Sequence, residues 1–256
     1  MSFSQLVAAA TIISSDHDPL HRVHEWATKR ETLKLQLLDL PFLVSEFKKR
    51  KREQHPTKPQ VMYIDNVPML RLANACESTC HGLYATAEVA AGFANKISDG
   101  VIPASFNALR KKIRKGDAEK DLISAIADVE WYEKVREMRT EWTHHSSVFI
   151  GESREGEPLF VMRSFRRTSD KEHFPKESQY SISHITHWTM KALALLDSFG
   201  SYLLKKYVLP SFNLDAVMFT PKKDAEGIPV FLEDGRFDGE HVTIRQYLLK
   251  NGVDIP

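Results

Sequence analysis

The chain has 256 residues, 42% hydrophobic and 27% charged, with 35 basic against 34 acidic side chains and a formal net charge of +1. That length supports a substantial core without disulfide or metal staples, and the charge balance excludes a polycation that binds nucleic acid over its whole surface. Two cysteines exclude a disulfide framework, and no apolar run reaches the ~18 residues of a membrane span, so a reducing, cytoplasmic setting without a membrane partner is expected.

The apolar start, "MSFSQLVAAATIISSDHD", has no basic region before it, which argues against a secretory signal. Asp18 and Pro19 suit a helix start, and Val23, Trp26, Leu33, Leu37 and Leu40 follow at helical spacing. Pro41 is expected to break or kink this helix, with Asp39 capping a second segment, "PFLVSEFKKRKRE". After a polar loop at 54–61, an alanine-rich run at about 67–98 predicts a helix that packs closely against its neighbours. A short basic helix, "ASFNALRKKIRKG", stops at Gly116. Leu122, Ile126, Val129, Tyr132, Val135, Met138 and Trp142 then recur every three or four residues, the clearest helical stripe in the chain.

From Ser147 the period changes. Two β-rich runs around Gly156 predict a hairpin over about 147–166, and "RRTSDKEHFPKESQ" is expected to be a loop. A last long helix begins near Tyr180 and ends before Pro210. In the tail, "LDAVMF" and "IPVFLED" predict strands and "TIRQYLLKNG" a capped helix ended by Gly252. The expected fold is mainly α. It is a bundle of four or five long helices with an inserted hairpin at 1–205, followed by a small α+β C-terminal extension at 206–256.

Cys76 and Cys80 share a helical face, but no second Cys/His cluster accompanies them, so they are read as buried small hydrophobes and no metal or other cofactor is expected. The basic runs "KKRKR" (48–52) and "RKKIRK" (110–115) could meet phosphate if both lay near one groove; otherwise they are solvated helix surface. There is no G-x-S-x-G, P-loop, G-x-G-x-x-G or H-E-x-x-H, which disfavours common hydrolases, kinases and dehydrogenases.

"REMRTEWTHH" at 136–145 is the remaining chemistry. His144 can move a proton to or from a ribose hydroxyl, and Arg139 can hold a phosphate bidentately and stabilise its developing charge without a metal. Five residues along an ideal helix leave the two side chains about 140° apart, so they converge only if the helix ends or distorts near His144, or if partner helices complete a cleft. The structural alternative is a helix end where a charged imidazole is favoured by the macrodipole and Trp142 belongs to the core.

R-x-x-x-x-H near the end of a long helix in an all-helical bundle resembles the HEPN superfamily (higher eukaryotes and prokaryotes nucleotide-binding). "ANACESTCHGLYATAEVAAGFAN", "WYEKVREMRTEWTHHSS" and the hairpin with its following long helix resemble a group of bacterial HEPN proteins. The resemblance covers about 20–205. It implies a bundle that dimerises, bringing two motifs into one cleft, and a metal-independent endoribonuclease acting on RNA. In that scheme Arg139 binds phosphate, His144 is the acid or base, and Glu77 and His145 support them. It equally implies non-catalytic members that bind nucleotides, RNA or proteins. Thr140 departs from the pattern, in which a polar asparagine, aspartate or histidine follows the arginine, and this weakens the catalytic expectation more than the fold.

Overall fold

The computed structural model describes residues 17–54, 67–126, 128–144, 146–164, 176–211, 213–226 and 228–252. Among these, seven α-helices and two small antiparallel sheets make a mainly α protein. Helix α1 (His17–Gln54) and α2 (Val67–Ile97) run antiparallel: Arg71 pairs with Glu46 at 3.0 Å near one end, and Gly92 faces Arg22 near the other. Helix α1 continues through Pro41 without a break, unlike the expectation. The missing N–H costs about 3 kcal/mol in a helix interior. Burial of Leu37, Leu40 and Phe47 on both sides of the proline offsets that cost.

Helix α2 is the central element. Leu72, Cys76, Cys80, Leu83, Ala87, Ala90, Ala91 and Ala94 all lie in the core, and its small side chains let neighbouring helices approach closely. Short helix α3 (Phe106–Arg114) is capped by Ser105, whose Oγ accepts from the Ala108 amide at 3.2 Å, and Gly116 takes φ +73° just beyond its end.

The long apolar stripe that follows is divided between two helices, α4 (Lys120–Ala125) and α5 (Glu130–His144). Its members Leu122, Ile126, Val129, Tyr132, Val135 and Met138 are nonetheless buried; the side chain of the seventh, Trp142, lies outside the described residues. The break belongs to Asp128: its Oδ1 accepts from the Glu130 amide at 3.1 Å and its Oδ2 from Lys191 at 2.8 Å. A short carboxylate that captures a backbone amide starts a new helix as readily as it interrupts an old one.

Strands β1 (Ser146–Glu152) and β2 (Pro158–Ser164) form the expected hairpin, with Gly156 at φ +78° and Ser153 Oγ accepting two turn amides. A third strand, β3 (Lys176–Ser181), pairs antiparallel with β2 and makes a three-stranded sheet where only a hairpin and a loop were expected. Its sequence, KESQYS, lacks an apolar period; backbone pairing to β2 makes it a strand. Ile150 and Phe160, cross-strand partners, enter the main core. Two lysines of the first basic run tie α1 to this hairpin, Lys48 to Glu157 at 2.7 Å and Lys51 to Glu152.

Ser181 caps α6 (Ile182–Leu203), accepting from the His184 amide at 3.1 Å; a π-helical turn (Leu204–Val208) and a 3₁₀ turn (Leu209–Ser211) follow it. The tail forms β4 (Val217–Pro221), β5 (Gly239–Thr243) and α7 (Ile244–Lys250). Between the strands, the stretch expected as a strand at 228–234 makes only isolated bridges, Lys223 to Pro229 and Phe231 to Phe237; the partner of β4 is Gly239–Thr243. Gly239 sits where a Cβ would meet the Thr220 carbonyl, so no larger residue fits there without a shift. A capping box between Thr243 and Gln246 starts α7, whose Ile244 and Leu248 join the main core. No helix among the described residues is long and apolar enough to cross a membrane.

Candidate functional site

Helix α5 lies along α2 in antiparallel sense. The Tyr132 hydroxyl donates to the Glu88 carboxylate, and seven residues further along α5 the Arg139 guanidinium lies over the Tyr84 ring, 4.6 Å from its centroid. Twelve residues beyond Tyr132, the backbone of His144 closes the helix. Twelve residues back from Glu88 on α2 stands Cys76, with Glu77 beside it. At about 1.5 Å per residue on each helix, α5 therefore runs on toward the Glu77 end of α2. The His144 side chain and all of His145 lie outside the described residues.

The α2 face toward α5 carries a polar seam: Glu77, His81, Tyr84 and Glu88, spaced four, three and four residues apart. These positions share one side of a helix. Glu77 and His81 approach at 3.6 Å, so Glu77 has a neighbour on its own helix. Sequence reasoning singled out Glu77 but missed Tyr84 and Glu88, although the heptad-like spacing of these polar residues through an otherwise apolar helix was a readable signal. The Thr140 Oγ1 donates to the Arg136 carbonyl at 2.9 Å, one turn back on its own helix.

Behind Arg139 stands an aromatic column. Tyr84 stacks on Tyr132 at 5.6 Å and 21°, and Tyr132 packs on Phe106 at 4.9 Å and on Trp131 edge-on at 5.9 Å. Tyr132 is fully buried, and burial together with its bond to Glu88 pushes its phenol well above the ordinary range, so it stays neutral. Arg139 itself is exposed.

Three of the five cations of the second basic run have partners within the fold, while Lys111 and Lys115 are exposed. Arg110 is buried and pairs with Glu133, which also accepts from Arg136 at 2.7 Å; Arg114 pairs with Glu130, and Lys112 donates to the Val101 carbonyl. The two basic runs do not share a groove within one chain. The first lies near the Arg71 level of α2 and the second near Glu88, roughly 25 Å apart at the helical rise.

The Arg136 hydrogen bond and the Arg110 and Arg136 charges hold the Glu133 carboxyl below the usual carboxylate range, against the opposing effect of burial. Its folded-state pKa is depressed, so its contribution to stability is present above the unfolded value near 4.5 and is lost as pH falls through the folded value. Glu133→Gln is expected to lower the urea midpoint at neutral pH, with the gap to wild type closing below about pH 4. A gap that stays constant down to pH 3 would show that the carboxylate charge is not what stabilises this junction.

Cys76 and Cys80 are free and buried, and burial pushes the Cys76 thiol up to about 12 and the Cys80 thiol further. They pack as small hydrophobes, as expected, and offer no thiolate. No group of three or more metal-ligating side chains occurs among the described residues. Comparison with protein-family models, curated proteins and solved structures gives no match to this chain.

Proposed function

We propose that this chain is a HEPN-like protein that acts on RNA, binding phosphate through Arg139 and cleaving the phosphodiester without a metal by means of Arg139 and His144. The carrying observation is the setting of Arg139. It is solvent-exposed in the last turns of α5, with its guanidinium over the Tyr84 ring. In this reading the cation binds a non-bridging phosphate oxygen. His144, at the helix end, transfers a proton to or from the reacting oxygens. Glu77 and His145 support the histidine, and a second copy of the chain completes the cleft.

Purified protein is expected to cleave single-stranded RNA in excess EDTA. RNA left intact across a pool of varied sequence would remove the catalytic half of the proposal.

One observation favours a second reading, a non-catalytic nucleotide-binding or interaction module. The Thr140 hydroxyl commits its proton to the Arg136 carbonyl, so the position after Arg139 has no donor left for a substrate phosphate. That reading retains RNA or nucleotide binding at Arg139 and expects no turnover.

A further inference from the structure

We propose that Tyr84 is a positioning residue for Arg139, presetting its guanidinium for phosphate; this rests on the reading of Arg139 as the phosphate-binding group. A solvent-facing arginine samples many rotamers, and ordering it on binding costs affinity. Here the side chain already has a resting place, the Tyr84 ring 4.6 Å from its central carbon.

That ring is itself fixed. It stacks on Tyr132, which is fully buried, tied to Glu88 and backed by Phe106 and Trp131. Tyr84 is thus the outermost member of an aromatic column whose base is the protein core. A ring contact engages the charge of the guanidinium through the ring face and uses none of its N–H donors.

The test compares wild type with Tyr84→Leu, Tyr84→Phe and Arg139→Ala in binding a fluorescein-labelled oligouridylate over a series of salt concentrations. Tyr84→Leu is expected to weaken binding about 2- to 5-fold with the salt slope unchanged, because the charge remains. Tyr84→Phe is expected to match wild type. Arg139→Ala is expected to weaken binding and reduce the slope by about one, because a phosphate contact is lost.

In parallel, the Arg139 Nε–Hε resonance should be shifted upfield by the ring in wild-type protein and in Tyr84→Phe, but not in Tyr84→Leu. This readout needs no RNA, and its wild-type arm needs no variant to fold. An unshifted wild-type resonance overturns the positioning role. So does Tyr84→Leu binding as tightly as wild type while Arg139→Ala binds weakly. If Arg139→Ala binds as wild type, the phosphate-binding reading fails, and the positioning role falls with it even where the ring shift is present.

Discussion

His144→Ala is expected to reduce RNA cleavage in EDTA by about 10²- to 10⁴-fold, the usual contribution of a positioned acid or base. In the proposed reaction the ribose 2′-oxygen attacks phosphorus as its proton is removed, and the bond from phosphorus to the 5′-oxygen breaks as that oxygen gains a proton. His144 performs one of these two transfers, and the products are a 2′,3′-cyclic phosphate and a 5′-hydroxyl. A substrate with 2′-deoxyribose at the scissile position lacks the nucleophile and is expected to stay uncleaved, whereas the variant keeps residual activity.

The variant should keep its helical circular dichroism, because α5 draws its stability from Tyr132, Val135 and Met138, which lie well before its last residue. Equal cleavage by His144→Ala and wild type would remove the histidine from the chemistry. A difference confined to stability at low pH would instead mark it as a helix-end cation.

Asp197→Ala is expected to destabilise the fold by about 2–3 kcal/mol, the second large effect. Arg30 lies in α1 with a side chain only 9% exposed, and Asp197 of α6 meets it in a fork, Nε to Oδ1 at 2.8 Å and Nη2 to Oδ2 at 2.5 Å. Removing the carboxylate leaves a mostly buried guanidinium with its largest compensating charge gone, which is the costly way to break such a pair. Glu31, at 2.6 Å from Arg30 and more exposed, keeps the loss from being greater. Replacing both partners by apolar residues, Arg30→Met with Asp197→Leu, is expected to recover most of the deficit, since no uncompensated charge then remains. Urea unfolding monitored by circular dichroism reads both. An Asp197→Ala protein within about 0.5 kcal/mol of wild type would show the fork to be energetically idle, as exposed pairs often are.

The two expectations differ in how far the sequence could have raised them. His144 was visible as the end of a periodic segment, five residues after an arginine. The Arg30–Asp197 fork joins residues 167 positions apart and belongs to no motif. Either charge, taken alone, reads as part of a solvated helix face. The same holds for the Arg110–Glu133 pair, within a basic run that by itself reads as solvated helix surface unless it shares a groove with the first run.

What the sequence determined by itself is what local physics controls. Apolar recurrence placed α2 and the buried stripe of α4 and α5, glycine at positive φ marked the ends at Gly116 and Gly156, and the predicted capped helix of the tail is α7. Tertiary structure decided the rest. It carried α1 through Pro41 by packing on both sides, and it turned the polar segment KESQYS into a strand by lending it the edge of β2. At the site, the chain alone set the spacing of Arg139 and His144. That Arg139 lies on Tyr84, and that Tyr132 meets Glu88, follows from α2 and α5 lying antiparallel. Periodicity tells a helix which face to bury but not which helix will cover it, because that choice depends on every other buried face at once.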